Sequence, residues 1–216
     1  MKSLFPLLGV LFLVTTSHAQ NLLQDPSFDA STPNSQTNPF WTLDVTFPDG
    51  VGSSAQYQDA PWASNPTGTP GVGVWLKAFE GNQAGGGDPL ANATLYQDVT
   101  EAAAGEYTLS FFYRKEANFS AANTYVELLE DGSRIGLLDL TEVDTGGLFE
   151  QFSFNANSSG GTLRVQAKMV DGFDAQANPQ SAMFDDFSLT AVPEPSGFAM
   201  LALAGFALAP LRRRKR

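Results

Sequence analysis

The residues able to perform chemistry are limited in kind, because the sequence has no cysteine and a single histidine, His18. His18 lies in an N-terminal segment that we predict to be removed on export, so the remaining chain has neither residue type. Their absence excludes Ser-His-Asp and Cys-His catalysis and the common zinc ligand sets. Carboxylate pairs such as Glu116 with Glu127, or Asp139 with Glu142, could cleave a glycosidic bond as acid and base. Acidic residues are so numerous that such pairs arise by chance, and the sequence predicts no enzyme.

Aromatic side chains are the next candidates, since an exposed ring can stack on a sugar and nearby polar groups can bind its hydroxyls. Trp62 lies in the polar loop 59–65, where binding residues are often found. The predicted sugar-binding residues are Trp62, Tyr57, Tyr96, Gln97 and Tyr113, with Arg114 and Tyr125 as further residues of a possible concave sheet face. The alternative for Trp62 is a ring that folds back onto the protein, and Trp75 is predicted to pack inside.

Alternating apolar and polar residues begin at Trp41 and recur along the chain, a pattern typical of half-buried β-strands. The predicted strands cover 41–47, 73–79, 93–99, 106–115, 124–129, 135–140, 149–154, 162–170 and 183–190. Pairs such as Asp131-Gly132 and Gly160-Gly161 indicate turns between them. Segments 49–70 and 81–92 are predicted to be long surface loops. About nine short strands without a helical apolar stripe predict an all-β fold, a jelly-roll β-sandwich.

Asp185 is a charged residue inside the last predicted strand. Strict alternation would place Asp185 on the core face together with Phe187 and Leu189. A carboxylate on that face is costly unless another group compensates for its charge. Backbone amides, a lysine or an arginine could supply that compensation.

The two ends of the predicted sandwich resemble the opening and the close of carbohydrate-binding modules with the galactose-binding-like jelly roll. The opening is Asn21-Leu22-Leu23, followed by Phe28-Asp29 and then Trp41, and the close is Phe184-Asp185-Asp186-Phe187-Ser188-Leu189. Segments 95–99 and 107–111 resemble the central strand pair of that family. The resemblance implies a structural Ca²⁺ with Asp29 and Asp185 as ligands and Asp25 as a further candidate, and hard oxygen ligands suit this ion. Asp29 replaces the glutamate that is commoner in the family.

Both ends of the chain carry features of protein sorting. Residues 1–19 combine Lys2, an apolar stretch and the triplet Ser17-His18-Ala19, which is typical of a cleaved signal peptide. At the other end, the apolar stretch 197–211 separates Val192, Pro193, Glu194 and Pro195 from five cations that begin with Arg212, Arg213 and Arg214. As a helix this stretch would be about 22 Å long, short of the roughly 30 Å hydrocarbon core. The sequence therefore predicts a transient inner-membrane anchor.

Residues 192–216 resemble the PEP-CTERM sorting signal. They have its order of a Pro-Glu-Pro motif, a hydrophobic transmembrane helix and an arginine-rich tail. The resemblance implies cleavage near Pro193-Glu194-Pro195 by an exosortase, in bacteria that make extracellular polysaccharide. An ordinary C-terminal tail anchor is the alternative. We therefore expect an exported protein that reaches the cell surface or the extracellular matrix after a short stay in the inner membrane.

The predicted mature domain, residues 20–191, is strongly acidic. Without the two terminal segments the chain keeps six basic and 22 acidic residues, a net charge near −16. Nucleic acid and anionic lipid are disfavoured as partners, because phosphate binding needs clustered cations, whereas metal cations and neutral sugars are compatible. The predicted function is a non-catalytic glycan-binding module whose partners are an exosortase and extracellular polysaccharide. The alternatives are a structural matrix protein without a specific ligand and a glycan-active enzyme.

Overall fold

The computed structural model describes residues 20–46, 55–65, 71–78, 91–115, 123–172 and 180–193. Ten strands occupy these ranges: β1 Thr42–Thr46, β2 Ala55–Gln58, β3 Gly73–Ala78, β4 Ala91–Ala102, β5 Gly105–Arg114, β6 Thr124–Glu130, β7 Ser133–Asp139, β8 Glu150–Ser158, β9 Gly161–Gly172 and β10 Gln180–Ala191. Sheet 1 has the order β1-β4-β9-β6-β7 and sheet 2 the order β2-β3-β10-β5-β8. Every strand pairing is antiparallel. The all-β sandwich predicted from the sequence is confirmed.

The predicted terminal segments lie almost entirely outside the described residues. These segments are the signal peptide over 1–19 and the part of the sorting signal that contains Glu194, Pro195, Arg212, Arg213 and Arg214. Within the described part of the chain, no helix has the length and apolar character needed to cross a membrane.

Alternation within the strands produces the two faces of each sheet. In β9, Leu163, Val165, Ala167 and Met169 are buried, while the residues between them are partly exposed. In β5 the buried set is Tyr107, Leu109, Phe111 and Tyr113. Because successive side chains of a strand point to opposite faces, each sheet turns one apolar face toward the other sheet and one polar face outward.

The core between the sheets is dominated by aromatic rings. Phe187 lies 5.3 Å from Trp41, 5.4 Å from Phe111 and 6.1 Å from both Phe28 and Phe184, measured between ring centroids. Edge and tilted contacts at these separations are favourable for aromatic pairs. The opening and closing motifs of the sequence therefore meet in one packed cluster.

The N-terminal segment is held against the second half of β10. The amide of Leu22 donates to the Leu189 carbonyl (2.9 Å), and the amide of Phe187 donates to the Pro26 carbonyl (3.0 Å). The Trp41 indole N–H also donates to the Asp25 carbonyl (3.0 Å). The bonds of Leu22 and Pro26 satisfy backbone groups of β10 that β3 leaves free, since β3 pairs only with the first half of β10.

Strand β2 was not predicted, and segment 49–70 is not a continuous loop. Residues 55–58 alternate between buried and partly exposed, and they pair with β3. A strand of four residues is too short for its alternation to stand out in sequence. Pairing with β3 and burial of Tyr57 decide its conformation.

The predicted orientation of Asp185 is wrong, because β10 contains a bulge. The register with β5 shifts between Asp185 and Ser188, and Asp186 has a left-handed backbone with φ of 50°. The extra residue lets Phe184, Phe187 and Leu189 all face the core. Asp185 follows Phe184 directly and therefore lies on the outer face of sheet 2.

Candidate functional site

The outer face of sheet 1 brings two tyrosines and several polar side chains together, and we call it the tyrosine face. Strand pairing aligns Tyr96 with Gln166 and Gln166 with Glu127 in one row across β4, β9 and β6. The next row contains Thr94, Lys168 and Tyr125. The tyrosine face comprises Thr94, Tyr96, Asp98, Tyr125, Glu127, Arg134, Arg164, Gln166 and Lys168. All except Glu127 are partly or fully exposed.

Glu127 is the buried centre of this face, with a side chain only 5% exposed. Arg134 Nη1 donates to its Oε1 at 3.0 Å, and Lys168 Nζ lies 2.7 Å from its Oε2. The Gln166 amide also donates to Oε2. Burial opposes ionisation of Glu127, but these donors outweigh it and hold the pKa of the carboxyl below its usual value. Glu127 is therefore an ionised anchor that fixes two cations and an amide.

A cation lies over one face of each tyrosine ring, which leaves the opposite face for a ligand. The Arg164 guanidinium carbon is 4.0 Å from the Tyr96 ring centroid, and Lys168 Nζ is 5.8 Å from the Tyr125 centroid. Asp98 holds Arg164 through two 2.7 Å bonds to its Nε and Nη2 atoms. Hydrogen bonds from Arg164 lower the pKa of Asp98, so this pair remains charged at neutral pH. Ring and guanidinium positions are therefore fixed together.

Three of the predicted sugar-binding residues, Tyr57, Gln97 and Tyr113, are buried and do not reach this face. Tyr57 and Tyr113 are fully buried, so the prediction that their rings stack on a sugar is wrong. Burial also raises the pKa of both phenols, which keeps them neutral. Gln97 is buried because it follows Tyr96 directly and points to the opposite face. Its side chain exchanges two hydrogen bonds with the backbone of Gln24 (2.7 and 2.9 Å).

Trp62 lies in the loop 59–65, which covers part of the outer face of sheet 2; we call this segment the tryptophan loop. Its ring meets Trp75 edge-on, with centroids 5.0 Å apart, and its carbonyl accepts a bond from Arg114 Nη1. The backbone passes so close to Gly73 that a Cβ there would lie 1.8 Å from the Ala63 carbonyl oxygen. Trp62 is thus half-buried against the sheet, as in the alternative stated for it.

The position of the Trp75 side chain differs from the one predicted from the sequence. The ring lies on the outer face of sheet 2, because Val74 and Leu76 on either side of it fill the core. Its indole N–H donates to the Ser181 hydroxyl at 2.8 Å, and Lys77 Nζ lies 4.6 Å from its ring centroid. The prediction that Trp75 packs inside the sandwich is therefore wrong.

Asp185 is 3% exposed and lies beneath the end of the tryptophan loop. The amides of Asn65 and Asp186 donate to its two oxygens at 2.7 and 2.8 Å. Burial and the nearby charges of Asp186 and Asp29 nevertheless raise the pKa of Asp185 to about 8. Asp186 and Asp29 are thus each close enough to repel a charged Asp185, an arrangement that a divalent cation would relieve.

The donor set around Asp185 fits calcium in part. Asp185 and Asp29 supply carboxylate oxygens, and neighbouring backbone carbonyls are the other usual ligand type. Asp25 is engaged elsewhere, because it accepts from the Asn38 amide at 2.6 Å and from the amide of Ala30. Over the ranges that the structure describes, no three acidic, histidine or cysteine side chains form a group suited to a metal. A bound Ca²⁺ would therefore depend on carbonyls and water as well.

Sequence reasoning missed most of the polar residues of the tyrosine face. Arg164, Gln166 and Lys168 alternate with buried apolar residues along β9, so the periodicity of that strand already placed them together. The sequence by itself presents Glu127 only as one member of a chance acid pair. Its contacts with β7 and β9 depend on strand order, which the sequence does not display.

No family model and no curated protein matches this sequence. Among solved structures, the fold is similar to TmCBM61 in complex with β-1,4-galactotriose, with a TM-score of 0.53 and 16% identity over 81% of this chain and 100% of that one. It is also similar to a cyclase from Fischerella sp. TAU (TM-score 0.57, 14% identity, 83% and 100% of the two chains). A third similar structure is the enzymatically active domain of bacteriophage CBA120 tailspike protein 4 (TM-score 0.52, 12% identity, 80% and 21%). Identities this low show a shared fold, one that both a carbohydrate-binding module and enzymes use.

Proposed function

We propose that this protein is a glycan-binding module and that the tyrosine face is its binding surface. One observation carries the proposal: two partly exposed tyrosines flank a strand whose outward side chains are Arg164, Gln166 and Lys168. Aromatic rings combined with a few fixed polar groups are the usual composition of a site for small polar ligands. The likeness to TmCBM61 supports the proposal at the level of the fold.

The geometry favours an extended ligand over a single sugar. Tyr96 and Tyr125 are two strands apart and offset by one row of the sheet. With strands about 4.8 Å apart and residues about 3.4 Å apart along a strand, their Cα atoms are roughly 12 Å apart. A chain of several sugar units could contact both rings while its hydroxyls bond to Gln166 between them.

We further propose that the module is non-catalytic. Glu127 is the most buried acid of the tyrosine face, and three donors occupy its oxygens. Because these contacts keep it ionised, it cannot serve as a general acid at neutral pH. Incubation of the protein with polysaccharides should release no new reducing ends.

Affinity electrophoresis through gels that contain different polysaccharides tests the binding function directly. The full chain should migrate more slowly in at least one glycan than in a gel without polysaccharide. Retardation should disappear when soluble fragments of the same glycan are added. Unchanged migration in every glycan would leave the alternative, a structural matrix protein without a specific ligand.

The sorting function is a separate proposal, supported by the tripartite tail. We propose that an exosortase cleaves near Pro193-Glu194-Pro195 and that the released domain reaches the cell surface or the extracellular matrix. Strand β10 ends at Ala191, and the amide of Val192 still donates to the Glu106 carbonyl at 2.8 Å. Pro193 is exposed directly after it. Mass spectrometry of the exported protein should find Arg212 to Arg216 absent, and their presence would contradict the proposal.

A structural Ca²⁺ at Asp185 and Asp29 is the third proposal. A buried carboxylate flanked by two further carboxylates supports it, because an adjacent cation would offset both the desolvation and the repulsion. The ion would join the N-terminal segment to β10 near the end of the tryptophan loop. Its role would be stability, and thermal unfolding at pH 8 with and without Ca²⁺ tests it.

A further inference from the structure

We infer that the glycan bound by the tyrosine face is acidic, a polysaccharide that carries carboxylate groups. This inference rests on the glycan-binding function proposed above. Only six lysine and arginine residues lie between residues 20 and 193. Three of them, Arg134, Arg164 and Lys168, share the tyrosine face, although the domain as a whole is strongly acidic.

Between Asp44 on β1 and Asp139 on β7, the hydrogen-bonding groups at the centre of this face are mostly unused donors. Its two paired acceptors are already engaged, Glu127 by Arg134, Lys168 and Gln166, and Asp98 by Arg164. Arginine and lysine each carry more N–H groups than these contacts consume. Arg134 is also 56% exposed. A complementary ligand must therefore supply acceptors, and a carboxylate is the strongest acceptor that a sugar unit carries.

Glu127 acts here as a positioning residue. Its buried carboxylate holds Arg134 from β7 and Lys168 from β9, two cations that would otherwise repel each other. One negative charge thus fixes two positive charges at neighbouring positions. Preorganised cations of this kind lose little side-chain freedom when they bind an anion.

The overall negative charge does not overturn this local preference. Asp44 and Asp139 lie in the same row as Lys168, each two strands away, which is roughly 10 Å. At physiological ionic strength the screening length is about 8 Å, so repulsion from these carboxylates is weakened. A ligand carboxylate in contact with Lys168 or Arg134 is screened much less. The net charge of the domain is compatible with a neutral sugar as ligand. The positions of the individual charges on the tyrosine face favour an acidic sugar instead.

Polygalacturonate and its methyl ester provide a matched pair of probes, because they share a backbone and differ in charge. We expect the full chain to bind polygalacturonate at least about ten-fold more tightly than the ester, with affinity that falls as salt is raised. The double variant R134Q/K168Q should lose about ten-fold in affinity for polygalacturonate and little for the ester. Lys115→Gln is the control, since Lys115 pairs with Asp144 outside the tyrosine face.

The double variant could destabilise the fold by leaving Glu127 poorly compensated, so thermal unfolding is measured beside binding. The comparison of polygalacturonate with its ester, and the measurement of affinity at several salt concentrations, both use the unaltered protein. They therefore test the inference even if the double variant does not fold. Equal binding of both probes, or preference for the ester or for a neutral galactan, overturns the acidic-ligand inference while the glycan-binding function stands. Absence of binding to every polysaccharide refutes both.

Discussion

The tyrosine face and the tryptophan loop both combine aromatic rings with cations, yet they use them differently. In the tryptophan loop, Trp62 packs on Trp75 and its carbonyl is held by Arg114, so the rings and charges attach a loop to sheet 2. On the tyrosine face, Tyr96 and Tyr125 stand on strands, and the surrounding donors point outward. The contrast shows that an aromatic residue in a polar loop can serve to pack the loop against a sheet.

The largest expected effect concerns Asp185, which the end of the tryptophan loop covers. Its pKa of about 8 in the folded state exceeds the value of about 4 in an unfolded chain, so between these values the native protein binds more protons. When a chelator is present to remove Ca²⁺, the free energy of unfolding should therefore fall by about 1 kcal/mol per pH unit as pH rises from 5 to 8. Chemical denaturation at several pH values measures this slope.

Asp185→Asn is the control for this effect, because a neutral side chain cannot lose a proton in that range. The variant should show a flatter pH dependence. Added Ca²⁺ should restore stability at pH 8 in the unaltered protein and not in the variant. A melting temperature insensitive to both chelator and Ca²⁺ at pH 8 would contradict the calcium proposal.

Next in size is the replacement of Trp62 by alanine. Loss of a half-buried ring that packs on Trp75 should lower the free energy of unfolding by about 2 kcal/mol, below the cost of a fully buried tryptophan. Glycan affinity should remain unchanged. Stability is measured by denaturant unfolding, and an affinity loss without destabilisation would make the tryptophan loop the binding region instead.

Replacement of Tyr96 by alanine should show the opposite pattern. Loss of one stacking ring should weaken glycan binding by about 1 kcal/mol, roughly five- to ten-fold. Stability should change little, because the ring lies on the surface beside Arg164. Affinity electrophoresis gives the binding change, and Thr108→Ala on the outer face of sheet 2 is the control.

The smallest expected effect on stability comes from Arg164→Gln. Its pair with Asp98 is bidentate but partly exposed, and such pairs contribute about 0.5 kcal/mol. The midpoint of thermal unfolding should therefore shift by only about one to two degrees. A large loss of stability would show that the tyrosine face serves the fold as the tryptophan loop does, and the two regions would no longer differ.

The sequence predicted the fold more fully than the site. Alternation located nine of the ten strands, because burial on one face imposes a period of two on every strand long enough to show it. It failed at β2, with four residues, and at Asp185, where the bulge after it breaks the period. Tyr96 and Gln97 are both among the predicted sugar-binding residues, although neighbouring residues on a strand point to opposite faces and cannot share one binding surface.

Residue types and order by themselves determined several properties of this protein: an all-β fold, the absence of cysteine chemistry, and a strongly acidic segment between residues 20 and 191 that contains no histidine. Only the tertiary structure decided which outward side chains become neighbours. Glu127, Arg134 and Lys168 come from three strands, and they meet because β6 pairs with both β7 and β9. Strand order depends on the packing of the whole sandwich, so a site assembled across strands cannot be read from any one segment.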